Sequence, residues 1–235
     1  MPSSLIASGP HAGQPVLTWG KPLGQARVAV IMIHGRGAGP ENILELAPAL
    51  AHPDATYLAP AAANNTWYPY SFMTEISKNE PFLSSALSVL RALVAEIEAA
   101  GITRDQIVMM GFSQGACLTT EFAIRNASRF GGFIAFSGGA IGPAGTSWAA
   151  EGTARTDTAT GGFDGTPIFF GCSDIDAHIP EARVRESAAV CARMAAAVTT
   201  RIYPGMGHLV NDDEIAHARQ ILRGLRARGL EDRRS

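Results

Sequence analysis

The chain contains 235 residues, of which 46% are hydrophobic and 17% are charged, and its formal net charge is −2 at pH 7. This length favours one α/β domain, residues 1–235, with a single core. The nearly balanced charge gives no basis for nucleic-acid binding, and no apolar run approaches the roughly 20 residues of an integral membrane helix. No Lys or Arg precedes position 21 and no signal-peptide core is visible, so a cytoplasmic location is expected.

The order of the predicted elements indicates the fold class. In chain order they are a strand at 27–33, a helix from about Glu41, a strand at 55–60, a helix at 82–100, a strand at 105–110, a helix after Ser113, strands at 131–139 and 166–171, a helix at 181–197, a strand at 199–204 and a helix from Asn211. Such alternation predicts an α/β fold, with a mostly parallel central sheet and helices on both faces. Residues 140–165, rich in Gly, Ala and Thr, are expected to form a surface excursion with little regular structure.

A serine lies between two glycines in the sequence GFSQG, residues 111–115. The predicted strand ends just before Ser113 and the predicted helix begins just after it. A chain that reverses this tightly strains its central residue and leaves no room for side chains two positions before and after, which explains Gly111 and Gly115. The position suits a nucleophile held above a helix N-terminus, although a serine also commonly caps a helix.

A serine nucleophile needs a base and an acid, and both follow later strands. His208 lies in the loop after the strand at 199–204, and Asp174 and Asp176 lie in the loop after the strand at 166–171. The order Ser, Asp, His is that of α/β-hydrolases. From spacing alone, either aspartate could orient His208.

A metal cluster is a weaker interpretation of the same region. Oxygen and nitrogen donors that suit a divalent ion recur there, namely Asp174, Asp176, His178, His208, Asp212 and Asp213. No H-x-H or HExxH spacing is present, however, and a metal would leave Ser113 unexplained.

Acyl transfer also requires donors for the developing oxyanion. The backbone N–H of Gln114, directly after the nucleophile, is one candidate. The other is the backbone N–H of Arg36, in the glycine-rich loop HGRGAG after the first predicted strand. Three aromatic residues downstream, Trp67, Tyr68 and Tyr70, are candidates for an acyl or aryl pocket, with plain packing as the alternative.

Five segments occur in the order seen in one known family: IHGRGAG, NTWYP, MGFSQGA, DIDAHIP and GMGHLVNDDEI. From residue 27 to about residue 222, the chain resembles the phospholipase/carboxylesterase family of α/β-hydrolases, which includes acyl-protein thioesterases and small bacterial esterases. The resemblance implies the α/β-hydrolase fold and a Ser-His-Asp hydrolase that uses no metal and no organic cofactor.

The resemblance also implies residue roles. The family's acid lies four residues before the proline of its loop, which selects Asp176 over Asp174, and Gln114 and Arg36 match its oxyanion positions. The excursion 140–165 and the segment NNTWYPYSF depart from the thioesterases of the group. The family resemblance therefore predicts the catalytic mechanism of this chain better than it predicts the substrate.

The predicted function is a serine carboxylesterase that cleaves short- to medium-chain carboxylic esters through an acyl-enzyme intermediate. The expected partner is a small-molecule ester, with no nucleic acid and no integral membrane association, and a homodimer is left open. The alternatives are an acyl-protein or acyl-CoA thioesterase, a lysophospholipase, and, more remotely, a binding protein of the hydrolase fold without turnover.

Overall fold

A computed structural model describes residues 8–146, 148 and 162–231, and most of the excursion 140–165 therefore lies outside the described residues. The strands are β1 (Val16–Gly20), β2 (Val28–Ile33), β3 (Ala55–Pro60), β4 (Ile107–Phe112), β5 (Gly132–Phe136), β6 (Pro167–Ser173) and β7 (Ala197–Tyr203). They form one sheet in the order β1-β3-β2-β4-β5-β6-β7, in which only the β1–β3 pair is antiparallel. The predicted α/β fold with a mostly parallel sheet is confirmed.

Six helices cover the two faces of the sheet in the described part of the chain. They are α1 (Pro40–Leu44), α2 (Ala47–Leu50), α3 (Phe82–Ala99), α4 (Gln114–Arg125), α5 (Glu181–Arg193) and α6 (Asp212–Glu231). Alternate residues of β2 face opposite layers, since Ile31 joins the core under α3, α4 and α5, whereas Val30 joins the core under α1, α2 and α6. Within those same ranges, no helix has both the length and the hydrophobicity needed to cross a bilayer.

The structure differs from the sequence expectation at its edge. Strand β1 was not predicted, because its sequence VLTWG is short and mostly solvent-exposed and lacks a buried apolar run. It is held by antiparallel pairing with β3, with Leu17 opposite Ala59. The predicted helix 181–197 ends at Arg193, and a positive φ of 63° at Ala195 separates it from β7.

Three parallel strands deliver the candidate site residues to one edge of the sheet. The carboxyl ends of β4, β6 and β7 lead to Ser113, to the loop that contains Asp176 and to the loop that contains His208. The carboxyl end of β2 leads into the glycine loop with Arg36 at the same edge. Loops at the carboxyl ends of parallel strands are where ligand sites of open α/β sheets form.

The turn between β4 and α4 is the tightest point of this edge. Ser113 has φ 55° and ψ −119°, a conformation that is strained for a residue with a side chain. A Cβ atom on Gly111 would collide with the backbone of Gly115, and a Cβ atom on Gly115 would collide with the carbonyl oxygens of Ile33 and His34. The two glycines therefore allow α4 to begin directly against the end of β2.

Replacement of Gly115 by alanine should destabilise the fold, because the new methyl group meets backbone atoms that cannot move aside independently. We expect Gly115→Ala to lower the free energy of unfolding by about 2–3 kcal/mol in urea denaturation. Gly24→Ala is the matched control, since an added Cβ there has no atom within 4 Å, and its effect should stay within about 0.5 kcal/mol. Equal effects of the two substitutions would contradict the close approach.

Candidate active site

Ser113, His208 and Asp176 form a continuous hydrogen-bonded chain. The Oγ atom of Ser113 lies 2.9 Å from Nε2 of His208, and Nδ1 of His208 lies 2.7 Å from Oδ2 of Asp176. With a proton on Nδ1 donated to the carboxylate, Nε2 is the acceptor for the serine hydroxyl. Although Ser113 occupies the N-cap position of α4, its side chain makes no capping hydrogen bond. Its hydroxyl is directed to His208 instead.

Two rings hold the imidazole of His208 in this orientation. The ring of Phe112 lies 4.8 Å from it at an interplanar angle of 36°, and the ring of His178 lies 4.8 Å away at 67°. Phe112 is the residue before Ser113 and His178 is two residues after Asp176. The end of β4 and the loop after β6 thus each supply a ring that limits the rotation of His208.

Asp176 is surrounded by donors. Its Oδ1 accepts hydrogen bonds from the backbone N–H groups of His178, at 2.8 Å, and Ile179, at 3.0 Å, while Oδ2 faces His208. Burial acts to raise the pKa of this carboxyl group, but the hydrogen bonds from His208 and the two N–H groups outweigh burial and lower the pKa. Asp176 is therefore held as a carboxylate that faces the Nδ1–H of His208.

Asp174, the alternative acid, is exposed and has a different contact. Its Oδ1 accepts a hydrogen bond from the backbone N–H of Gly205 at 2.8 Å, and the neighbouring Ser173 hydroxyl accepts one from Gly207 at 3.0 Å. Both bonds anchor the loop that leads to His208. Asp174 thus positions the loop that carries His208, whereas Asp176 contacts His208 itself.

The two aspartates give a direct test of their roles. Asp176→Asn should lower kcat by about 10³- to 10⁴-fold, because an amide no longer stabilises the Nδ1–H form of His208 or its protonated state. Asp174→Asn should stay close to wild type, since an amide oxygen can still accept the bond from Gly205. Steady-state kinetics on one activated ester compares them. A large loss in Asp174→Asn with a small one in Asp176→Asn would reverse the assignment.

The residues weighed above as a metal site are divided among separate contacts. Asp213 accepts a hydrogen bond from the Tyr203 hydroxyl at 2.8 Å, Asp174 binds Gly205, and Asp176 faces His208. Across the ranges that the structure describes, no three His, Cys, Asp or Glu side chains are grouped closely enough to hold a metal ion.

The far end of the His208 loop is fixed by a capping box at the start of α6. The Asn211 Oδ1 atom accepts a hydrogen bond from the Glu214 N–H, and the Asn211 N–H donates to Glu214 Oε2, both at 2.9 Å. The Glu214 side chain is fully buried against Gly171 of β6, where an added Cβ would collide with it. Burial raises the pKa of Glu214 to about 7.

This buried carboxyl group predicts a pH-dependent stability. Folding raises the pKa of the Glu214 carboxyl group from 4.5 to about 7, so the folded state binds this proton more tightly than the unfolded state does. The resulting contribution to the free energy of unfolding is fully present below about pH 4.5 and is lost as the pH rises through 7. Urea denaturation should show wild-type protein losing on the order of 2 kcal/mol relative to Glu214→Gln between pH 5 and pH 8. Exposed Glu75→Gln is the control and should parallel the wild type; a constant difference for Glu214→Gln would contradict the prediction.

Arg36 and Gln114, whose backbone N–H groups are the predicted oxyanion donors, lie at the same cavity. Both residues line the cavity that contains Ser113 and His208. Gln114 is the first residue of α4, so its N–H has no acceptor within the helix. Among the described residues, neither N–H group has a hydrogen-bond acceptor, and both are thus available to a substrate oxygen.

The side chains of the same two residues perform a second task that the sequence did not reveal. Gln114 Oε1 accepts a hydrogen bond from the Trp67 N–H at 2.9 Å, and its Nε2 donates to the Tyr68 carbonyl at 2.8 Å. The Arg36 guanidinium donates to the carbonyl oxygens of residues 68, 69 and 70 at 2.8, 2.9 and 2.9 Å. These side-chain hydrogen bonds therefore fix the aromatic segment 67–70 next to the candidate oxyanion donors.

The three aromatic pocket candidates occupy different places. The cavity has a volume of about 530 Å³, with Tyr68 buried in its wall and Tyr70, 58% exposed, at its rim. Trp67 differs from the expectation, because it is completely buried outside the lining and its Nε1–H donates to the His34 carbonyl at 2.9 Å. Trp67 supports the glycine loop instead of contacting a ligand.

Two buried histidines complete the support of this segment. His34 Nε2 accepts a hydrogen bond from the Ala62 N–H at 3.1 Å, and His11 joins the Trp67 carbonyl at 2.9 Å and the Ala63 N–H at 3.0 Å. Burial lowers the pKa of both histidines, which favours the neutral form that these paired contacts require. No local sequence pattern marks His11, which lies more than 50 residues from Trp67 and Ala63.

Comparison with known proteins now gives the family. The phospholipase/carboxylesterase family model matches residues 20–225. This chain belongs to the phospholipase/carboxylesterase family. As a member it is a carboxylic ester hydrolase with the α/β-hydrolase fold, as predicted.

Named relatives cover most of the chain. The crystal structure of a phospholipase/carboxylesterase from Dyadobacter fermentans is 41% identical, with a TM-score of 0.83, over 92% of this chain and 99% of that chain. Acyl-protein thioesterase 1 of Eremothecium gossypii is 28% identical over 81% of this chain and 86% of its own length. A probable carboxylesterase, SOBER1-like, of Arabidopsis thaliana is 24% identical over 84% and 79%.

Proposed function

We propose that this family member is a serine carboxylesterase in which Ser113 is the nucleophile. The observation that carries the proposal is the hydrogen-bonded chain from Ser113 Oγ through His208 to Asp176. Nε2 of His208 takes the hydroxyl proton as Oγ attacks the ester carbonyl carbon. It then gives that proton to the leaving alkoxide oxygen when the carbon–oxygen bond breaks. Asp176 stabilises the imidazolium in between.

The remaining steps use the same groups. A water molecule loses its proton to His208 and attacks the acyl-enzyme, and the proton returns to Ser113 Oγ as the acid is released. In both halves, negative charge develops on the former carbonyl oxygen. The N–H groups of Arg36 and Gln114 are the donors for that oxygen, with each donor contributing about 3 kcal/mol in comparable sites.

The lining of the cavity supports an acyl group made of hydrocarbon. Its buried lining residues include Tyr68, Phe72, Cys117 and Ile179. These side chains present mainly apolar surface, which suits the hydrocarbon part of a short- to medium-chain acyl group. Burial raises the pKa of Cys117 to about 12, so this neighbour of Ser113 is a neutral wall residue and not a second nucleophile.

A thioesterase activity is the second candidate, and the similarity to acyl-protein thioesterase 1 of Eremothecium gossypii favours it. The same triad and oxyanion donors serve an acyl sulfur ester. Rates on an oxygen ester and a sulfur ester with the same acyl chain separate the two functions. A kcat/KM ratio in favour of the oxygen ester, after correction for the uncatalysed rates, supports the carboxylesterase.

Removal of the nucleophile should abolish turnover. We expect Ser113→Ala to lower hydrolysis of p-nitrophenyl esters by about 10⁴-fold or more, because the acyl-enzyme cannot form without the Ser113 hydroxyl. In the wild type, kcat/KM across acyl chains from acetyl to palmitoyl should be highest for short to medium chains. The release of p-nitrophenol measures both effects.

The control is Ser77→Ala, which removes an exposed hydroxyl away from the cavity and should retain wild-type rates. Stoichiometric labelling of the wild type, but not of Ser113→Ala, by a phosphonate reagent provides a second readout of the activated serine. Full activity in Ser113→Ala would exclude the proposed mechanism. Absence of both turnover and labelling would favour a binding protein of this fold.

A further inference from the structure

A second cavity adjoins the catalytic one at His208. Its volume is about 310 Å³, and it shares Gly35, Ala38, Phe112 and His208 with the catalytic cavity. We call it the α1 groove; beyond the shared residues and His34, its walls are Asn42, Ile43, Leu46, Leu209 and Val210. The two cavities thus meet at the imidazole that exchanges protons with the substrate.

The α1 groove is apolar. Ile43, Leu46, Leu209 and Val210 supply hydrocarbon side chains to it, and Leu209 is 46% exposed although it is a large apolar residue. The Oδ1 atom of Asn42 is already occupied, since it accepts a hydrogen bond from the Gly39 N–H at 3.0 Å. A ligand in this groove therefore meets hydrocarbon surface with few polar partners.

Charge around the groove disfavours an anionic ligand. Of the residues that the structure describes, no Lys or Arg lines it. The exposed carboxylates of Glu41 and Glu45 lie on and directly after α1, the helix that forms one wall. A leaving group rich in phosphate would find no cation there and would face these negative charges.

The chemistry of the triad decides which part of an ester reaches the groove. The acyl carbon becomes bonded to Ser113 Oγ, while the leaving oxygen must approach Nε2 of His208 to receive its proton. The acyl chain is accommodated by the wall of Tyr68, Phe72 and Ile179. The substituent on the leaving oxygen extends past His208, where the α1 groove begins.

We propose that the α1 groove binds the alcohol part of the ester and that this part is an uncharged hydrocarbon group. The proposal rests on the proposed esterase function and narrows it to esters of apolar alcohols. Leu209 and Val210 follow His208 directly in the chain, so the wall of the groove and the catalytic base are positioned by the same loop.

A series of acetate esters of straight-chain alcohols, from methyl to hexyl, tests the assignment. In the wild type, kcat/KM should rise about threefold for each added methylene until the groove is filled, because each methylene leaves water for apolar surface. Leu46→Ser should reduce that increment to less than half. Methyl esters of acids from acetic to hexanoic acid, measured in parallel, should show the same dependence on acyl length in the variant as in the wild type.

Leu44→Ser is the matched control. Leu44 is the last residue of α1, two positions before Leu46, and is partly buried against the same core as Leu46, but it does not line the groove. It should retain the wild-type dependence on alcohol length. Equal losses of that dependence in both variants would indicate general disruption of the chain between α1 and α2 and would overturn the assignment.

A binding measurement on the wild type covers the case in which Leu46→Ser fails to fold. Addition of 1-hexanol should shift the methyl NMR signals of Leu46, Leu209 and Val210, whereas methanol at the same concentration should not. Ser113-dependent hydrolysis with no dependence on alcohol length and no shifts would overturn the groove assignment and leave the esterase function intact. No Ser113-dependent hydrolysis of any ester would overturn both.

Discussion

The close approach of the β4–α4 turn to the end of β2 is the constraint on which the rest of the site depends. Gly111 and Gly115 have no side chains, so α4 starts against the carbonyl groups of Ile33 and His34. This contact lifts Ser113 above the sheet edge and places the N–H of Gln114 beside it. It also sets the distance to the glycine loop with Arg36, and both candidate oxyanion donors therefore depend on the same packing.

The site is assembled from backbone that distant side chains hold in place. His11, His34, Arg36 and Gln114 supply contacts to the segment 62–70, which has no regular sheet or long helix to fix it. On the other side, Asp174 and the Asn211–Glu214 capping box hold the two ends of the His208 loop. Such fixed surroundings lower the reorganisation that charge development at Ser113 would otherwise require.

The sequence predicted those parts of the site whose signal lies within one contiguous segment of the chain, and it missed those that depend on contacts between distant segments. Ser113 was predictable because strand, strained turn and helix are contiguous in the chain, and the family resemblance selected Asp176 for contact with His208. Spacing alone did not distinguish Asp174 from Asp176 as the partner of His208. Both residues lie in the same loop, and the path of that loop decides which carboxylate faces His208. His11 was missed because its contacts with Trp67 and Ala63 join segments more than 50 residues apart.

The differences between prediction and structure at Trp67 and β1 have the same cause, because both depend on contacts with residues distant in the chain. An aromatic residue in a loop carries no sign of whether its ring faces a ligand or the core, and the ring of Trp67 packs 5.0 Å from that of His34 behind the cavity. Strand β1 depends on its partner β3 and not on its own composition.

The double use of Arg36 and Gln114 has a consequence for how substrate preference can diverge. Their main-chain N–H groups survive any substitution except proline, but their side chains determine where the segment 67–70 lies. Selection for a differently shaped cavity at these two positions would therefore affect the cavity wall and the candidate oxyanion donors together. The side chain of Phe72 lines the cavity without such a link, and divergence of substrate preference is expected to accumulate there.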